Sequence, residues 1–227
     1  MIDLSILIVN WNTRDLVAQC LQSLSHTADR LVERPRESGV LAYGPYLAEV
    51  IVVDNASADH SASTVREGFP WVRLLENARN AGFAPANNQA FQHSLGRYVL
   101  LLNSDTIVHA GAIEALVKFM DEYPRCGAGG ARLLNADGSL QPSCHPMLTP
   151  WREFWRLIFL DPLWRQATYD MAKWNASSPR QVEAIKGACL IVRRAALETG
   201  QSLLDERYFM YTEEVDLCHR LALAGWD

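Results

Sequence analysis

Two runs of nearly unbroken apolar residues, 4–9 and 98–102, constrain this chain most, because a strand that is apolar at every position must be covered on both faces. Residues 49–53 and 72–75 read as two further strands between them. Helical periodicity fills the gaps. A helix from about Thr13 places Leu16, Val17, Cys20, Leu21 and Leu24 on one face, a second runs to about Gly68, and a third covers 83–95. A fourth carries Ile113, Leu116, Val117 and Met120. Strand and helix alternating in this way predict an α/β fold whose mainly parallel sheet is built by right-handed crossovers and flanked by helices. Ligands of such sheets bind at the carboxyl ends of the strands, so the polar residues just past each strand are the candidates for function.

The rest of the chain is less regular. Residues 27–48, broken by Arg, Pro, Gly and Tyr, read as a long surface connection. Residues 126–134 and 185–192 read as strands, Asn135-Ala136-Asp137-Gly138 as a tight turn leading into 139–141, and a last helix runs from after Thr212 to Ala224. Residues 145–181, rich in Pro, Trp and Arg, have no clear period. The chain stops at Asp227, directly after Gly225-Trp226, which reads as a cut end.

Length and charge narrow the classes. The chain's 227 residues suffice for one large α/β domain or two small ones, and 49% apolar with 21% charged residues is the profile of an ordinary globular protein. A formal net charge of −5 argues against a nucleic-acid binder that neutralises phosphates with a basic surface. A phosphate-bearing substrate would therefore need a divalent cation. Five scattered cysteines without a CxxC pair point to a reducing compartment and away from disulfides or zinc. No signal peptide opens the sequence and no apolar stretch reaches the roughly 18–20 residues of a bilayer span, so a cytoplasmic location is expected and the sequons at Asn55 and Asn175 read as chance.

Five polar clusters follow the strands. Asn10-Trp11-Asn12 contains no glycine, which excludes a GxGxxG dinucleotide turn. Asp54-Asn55-Ala56-Ser57 offers a carboxylate able to accept a ring N–H from uracil or thymine, although Asp and Ser are also the commonest helix caps. Asn77-Ala78-Arg79-Asn80-Ala81-Gly82 suits a nucleoside-binding turn or a plain loop. Asn103-Ser104-Asp105 emerges from the strand at 98–102. If extended, it directs Asn103 and Asp105 to one side, where they could share a Mg²⁺ or Mn²⁺ ion; otherwise Asp105 caps the next helix. Glu213, Glu214 and Asp216 open the last helix after the aromatic run Tyr208-Phe209-Met210-Tyr211, which is either the wall of a sugar pocket or core. Asp216 and Arg220 are spaced to pair on the helix surface.

Taken in order, these pieces resemble glycosyltransferase family 2, in particular bacterial rhamnosyltransferase-like members. The likeness is carried by Ile6-Leu7-Ile8-Val9-Asn10-Trp11-Asn12, Val52-Val53-Asp54-Asn55-Ala56-Ser57, Asn80-Ala81-Gly82-Phe83 and Leu101-Leu102-Asn103-Ser104-Asp105. It continues through Asp137-Gly138-Ser139-Leu140-Gln141, Lys186-Gly187-Ala188-Cys189, Asp205-Glu206-Arg207-Tyr208 and Glu213-Glu214-Val215-Asp216-Leu217-Cys218. The resemblance implies a GT-A fold in one domain, with a Rossmann-like nucleotide half at 1–106 and an acceptor half at 107–227. It implies inverting transfer of a sugar, rhamnose among the candidates, from a dTDP- or UDP-sugar to a saccharide or lipid-linked saccharide in cell-surface polysaccharide synthesis. Asp54 would contact the base, and Asn10, Asn12, Asn80 and Gly82 would line the nucleotide site. Asp105, with Asn103 in place of the motif's first acidic residue, would hold Mg²⁺ or Mn²⁺. Glu214, standing where the family usually has aspartate, would be the general base.

Two alternatives stay open at this level. A non-catalytic sugar-nucleotide-binding module accommodates Asn103 and Glu214 as departures from the pattern. A nucleotidyltransferase is disfavoured, because the turn after the first strand lacks a Gly-rich, Lys- or Arg-bearing loop. Residues 151–160 mix aromatics with arginines, as helices at the inner membrane face do. A helix covering the acceptor side of the core is the default there, since an apolar moment alone does not establish lipid contact.

Overall fold

The computed structural model describes residues 1–33, 38–147, 149–157, 169–175, 178–197, 200–208 and 211–227, and in the helix at 150–157 it describes no side chain at 150, 153, 155 or 156. The first half runs β1 (Leu4–Asn10), α1 (Arg14–Thr27), β2 (Arg30–Val32), β3 (Val40–Tyr43), β4 (Tyr46–Asp54), α2 (Ser61–Gly68), β5 (Arg73–Glu76), α3 (Phe83–Gln92) and β6 (Tyr98–Leu102). It continues with α4 (Ala112–Glu122), β7 (Ala128–Gly130), β8 (Leu133–Leu134), β9 (Leu140–Gln141), β10 (Cys144–His145) and α5 (Pro150–Leu157). β11 (Ala184–Ile185), β12 (Cys189–Arg193) and α6 (Glu213–Leu223) complete the described strands and α-helices, with short 3₁₀ turns at Met171–Lys173 and Arg194–Ala196.

One sheet has the order β2-β3-β4-β1-β6-β12-β7, with β5 beside the second half of β4. β1 pairs in parallel with β4 on one side and β6 on the other, so the strand order reverses at β1 and the crevice for a ligand lies beyond its carboxyl end. β12 returns antiparallel between β6 and β7, which makes the sheet mixed but mainly parallel at its centre.

The unbroken apolar runs cover two cores at once, because successive side chains of a strand point to opposite faces. Leu4, Ile6 and Ile8 of β1, with Leu100 and Leu102 of β6, pack on α1 and α4. Leu7, Val99 and Leu101 pack on the other side against Ala84 and Ala90 of α3 and Leu217 and Leu221 of α6. This double coverage is what holds the strand ends, and the polar turns beyond them, rigidly side by side.

Three expectations need correction. Residues 27–48 are not a bare connection: β2 and β3 form an antiparallel extension of the sheet, and all four residues of β3 are buried. Arg30–Val32 and Val40–Tyr43 are too short to show a period, and their strand character comes from pairing, β3 with β4 and β2 in turn with β3. The run at 126–134 is split into β7 and β8, and that at 185–192 into β11 and β12 around the turn at Lys186-Gly187-Ala188. The Asn135–Gly138 turn is found as expected, with Gly138 at φ 82 and the Asn135 amide donating to the Ser139 carbonyl at 2.8 Å.

The segment at 151–160 is described only to Leu157; residues 158–160 lie outside the described residues. Within α5, Trp151, Phe154 and Leu157 are exposed, with Trp151 and Phe154 stacked at 5.5 Å. Arg152 turns inward instead, its Nη1 donating to Glu183 at 2.8 Å and to the Met147 carbonyl at 2.9 Å. Those three apolar side chains therefore do not cover the core. No helix among the described residues is long and apolar enough to cross a membrane.

Candidate active site

Parallel register places Asn10 directly beside Asp54 at the ends of β1 and β4. Both are buried in a polar cluster: Asn10 Nδ2 donates to Asp54 Oδ1 at 2.9 Å and to Ser57 Oγ at 3.1 Å, and the Ser57 amide donates to Asp54 Oδ2 at 2.9 Å. Asp54 therefore closes its own turn and does not cap α2, which begins only at Ser61 after His60. Each of its oxygens accepts one bond here, and a carboxylate offers about four lone-pair sites, which leaves capacity for a base N–H. Asn12, exposed at φ 55, donates its amide to Ser57 Oγ and accepts from the Ala58 amide at 2.7 Å, tying the first turn to the second. A cleft of about 550 Å³ opens beside it, lined by Asn12, Arg14, Asp59 and His60 among others.

The next residue, Asn55, organises the third cluster. Its Nδ2 donates to Asn80 Oδ1 and to the Gly82 carbonyl, both at 3.0 Å, while its Oδ1 accepts from Asn77 Nδ2 at 2.9 Å and from the Ala81 amide at 3.1 Å. Gly82, at φ 95, starts α3 in a conformation that L side chains rarely adopt. Asn55 was not singled out from sequence, although its place one residue past the strand-end aspartate was visible there.

Asn103–Thr106 departs from expectation. The Thr106 amide donates to the Asn103 carbonyl at 3.2 Å, so this is a β-turn, and the extended spacing that would align Asn103 with Asp105 does not apply. Nor does Asp105 cap a helix, since α4 starts at Ala112 after Gly111. The Asp105 carboxylate is exposed and makes no hydrogen bond or ion pair among the described residues. Behind it, the Cys20 thiol is pushed up to about 12, first by burial and then by the nearby Asp105 charge. That thiol is inert at neutral pH.

The acceptor side meets this turn through one connection. The Asn103 amide donates to the Ala188 carbonyl at 3.1 Å, in the turn between β11 and β12. Gly187 of that turn faces the Phe83 ring at the start of α3, where an added Cβ would lie 3.8 Å away. α6 packs on β11, so its first turn flanks the same connection. There Glu214 is half-buried and Glu213 is buried, and each has an Oε2 shielded from solvent without a hydrogen-bond partner among the described residues. Asp216 is occupied elsewhere: it accepts from Arg220 Nε at 2.7 Å, and Arg220 also donates to the Leu203 carbonyl at 3.0 Å. Asn88, which follows the third polar cluster in Ala86-Asn87-Asn88, donates to the Leu204 carbonyl at 2.8 Å and to Glu206 at 2.9 Å, fastening the segment that leads to α6. The aromatic run before α6 is described only at Tyr208 and at Tyr211, which is exposed; Phe209 and Met210 lie outside the described residues.

Burial raises the carboxyl of Glu213 above the ordinary carboxylate range, and the Glu214 charge adds to the effect. A group raised in the folded state contributes stability that is complete below its unfolded pKa of about 4.3 and is lost as pH rises through the folded value. Glu213→Gln should therefore melt at a higher temperature than the parent near pH 8 and lose that advantage as pH falls toward 4. Thermal melts across this range check it; an advantage unchanged with pH would rule the account out.

The donor set suits a hard cation completed by substrate. Among the described residues no three His, Cys, Asp or Glu side chains cluster as a protein-only metal site would require. Mg²⁺ and Mn²⁺ take oxygen ligands, and Mg²⁺ is commonly held by one or two carboxylates together with substrate phosphates and water. The uncommitted carboxylate of Asp105, carried on the Asn103–Thr106 turn, fits that pattern.

Sheet order, the polar strand ends and the paired carboxylates of α6 define a GT-A glycosyltransferase fold. The family model described as glycosyl transferase family 2 matches residues 5–197, and the chain belongs to that family. It is 35% identical over 193 residues to the N-acetylglucosaminyl-diphospho-decaprenol L-rhamnosyltransferase of Mycobacterium tuberculosis, a match covering 78% of this chain and 62% of that protein. It is 25% identical over 224 residues to the low-salt glycan biosynthesis hexosyltransferase Agl10 of Haloferax volcanii, covering 96% of this chain and 61% of the relative. The chain thus spans somewhat under two thirds of the length of these relatives. Among solved structures, the mannosyltransferase PcManGT of Pyrobaculum calidifontis in complex with GDP-Man and Mn²⁺ superposes with a TM-score of 0.62 at 20% identity, over 98% of this chain and 52% of that one. S. aureus TarS 1–349 in complex with UDP gives 0.62 at 15% identity, over 98% and 56%. At these identities the likeness to solved structures is one of fold.

Proposed function

We propose that this chain is the catalytic part of an inverting glycosyltransferase that moves a sugar, rhamnose first among the candidates, from a nucleoside diphosphate to a hydroxyl of a lipid-linked saccharide in cell-surface polysaccharide synthesis. The Mycobacterium relative, whose name specifies rhamnosyl transfer to a decaprenol-linked acceptor, supports the sugar and acceptor class. Residues 1–106 would form the nucleotide half and 107–227 the acceptor half. The observation that carries the reading is the Asn103–Ala188 hydrogen bond, because it joins the turn bearing Asp105 to the connection on which α6 and Glu214 pack.

In this reading Asp54 accepts a ring N–H of the base, uracil or thymine, while Asn10, Asn12, Asn80 and Gly82 shape the nucleotide turn. Asp105, with Asn103 beside it, holds Mg²⁺ or Mn²⁺, which when bound supplies Lewis-acid stabilisation of charge on the diphosphate. Glu214 accepts the proton of the acceptor hydroxyl as its oxygen bonds to the anomeric carbon, and the bond from that carbon to the diphosphate oxygen breaks on the opposite side. Configuration therefore inverts. The half-burial of Glu214 supports this role, together with an Oε2 that no donor among the described residues engages, since that oxygen's acceptor capacity is not already spent.

A thermal-shift panel of UDP, dTDP, GDP and their sugars, with and without Mn²⁺, tests the reading. The expected result is stabilisation by one nucleotide series that grows with Mn²⁺, because stabilisation follows RT ln(1 + [L]/Kd). No stabilisation by any member would overturn it. Donor hydrolysis separates an enzyme from a module that binds sugar nucleotides without turning them over.

Contact with an anionic bilayer belongs to the same reading. The exposed Trp151, Phe154 and Leu157 of α5 give an apolar face suited to the interfacial zone where a lipid-linked acceptor presents its sugar. The Trp151→Ala/Phe154→Ala variant should sediment with anionic liposomes several-fold less than the parent; equal sedimentation would discard the contact.

A further inference from the structure

We infer that Thr13 and Ser104 are positioning residues that couple the base-binding carboxylate Asp54 to the Asn103–Thr106 turn bearing Asp105. The inference rests on the glycosyltransferase reading above and assigns it two residues that the family motifs leave without a role.

The case follows from counting protons. Asp54 Oδ1 is an acceptor only, so the group of Asn10 facing it at 2.9 Å must be the Nδ2 amide, and this fixes Asn10 Oδ1 on the other side. Asn10 Oδ1 is likewise an acceptor only, and Thr13 Oγ1 lies 2.6 Å from it, so the single hydroxyl proton of Thr13 is spent there. Ser104 Oγ lies 3.0 Å from Thr13 Oγ1. With the threonine proton committed, Ser104 must be the donor. The order of donation is therefore determined throughout: Ser104 to Thr13, Thr13 to Asn10, Asn10 to Asp54.

Asn10 is fully buried and Asp54 nearly so, while Thr13 and Ser104 are half-buried, which shelters the chain from exchange with solvent partners. Each of the three strand-end turns contributes a link, from β1, β4 and β6 respectively. Asn12 and Ser57 brace the first two turns against each other, but from the described hydrogen bonds only Thr13–Ser104 joins that pair by side chains to the third. A base N–H received by Asp54 thus stabilises the carboxylate orientation that orders Asn10, Thr13 and the Ser104 turn in succession. The diphosphate then meets Asp105 in a turn already set.

The test compares Thr13→Val and Ser104→Ala with the parent, using whichever nucleoside diphosphate of the panel binds most tightly, and its parent nucleoside, by calorimetric titration with Mn²⁺ present. Each variant should bind the diphosphate about three- to tenfold more weakly, the range of one lost hydrogen bond, and leave nucleoside affinity unchanged. The double variant should lose no more than the larger single loss, since one chain is cut twice. Thr13→Ser and Ser104→Thr, which keep the hydroxyls, should restore binding. Equal losses for nucleoside and diphosphate, or losses that multiply in the double variant, would show merely structural roles and overturn the inference. So would variants indistinguishable from the parent. If the parent itself binds no nucleotide, the functional reading falls and this one with it; if it binds and the variants match the parent, only the coupling falls.

Discussion

Glu214→Gln should lose glycosyl transfer by about 10²–10⁴-fold while keeping donor affinity, the contribution typical of a positioned general base. The substitution conserves volume and removes only the capacity to take a proton, so packing around the first turn of α6 is preserved. Two observations separate this carboxylate from its neighbours. Asp216 is held by Arg220 at 2.7 Å, and Glu213, whose Oε2 is likewise unpartnered among the described residues, is buried, whereas Glu214 is half-buried. Single-turnover rates at saturating donor read the chemistry without product release. A variant within tenfold of the parent rate would remove Glu214 from the role. Glu213→Gln serves as the internal comparison, since it changes the adjacent carboxylate and should keep most of the rate.

Asp105→Asn should abolish most of the gain in nucleoside diphosphate affinity that Mn²⁺ confers, a loss of about tenfold or more, and leave binding of the bare nucleoside intact. The size follows from Coulomb's law: a carboxylate facing a dication is worth over one decade of affinity even in a water-like dielectric. The Asp105 side chain is exposed, so water and substrate phosphates would complete the shell of a cation it held. Titrations of parent and variant with and without Mn²⁺ measure the difference directly. Equal Mn²⁺ dependence in both proteins would place the cation elsewhere.

The strands and helices of the centre were legible because their signals are local. Residues 98–102 carry five apolar residues in a row and form β6 over the same span, and Ile113, Leu116, Val117 and Met120 all face the core from α4. β2 and β3 were not legible, since three- and four-residue strands have no period and exist through pairing, β3 with β4 and β2 with β3. The same limit applies at the site. Asp54, Asp105 and Glu214 stood out as carboxylates just past apolar runs, yet whether 103–106 was extended or turned depended on a hydrogen bond that no spacing reveals.

Sequence by itself determined which residue types stand at the end of each strand, because the alternation of apolar runs and helical periods leaves little choice of fold and puts those ends on one edge. The tertiary structure alone decided who bonds to whom there. Asn55 meets Asn80 from 25 residues away, Thr13 meets Ser104 from 91, and Asn88 meets Glu206 from 118. Such partners are chosen by parallel register and by the turn at Lys186-Gly187-Ala188. The physical reason is that a buried polar group must find a partner wherever packing has placed one, and packing is a property of the whole sheet.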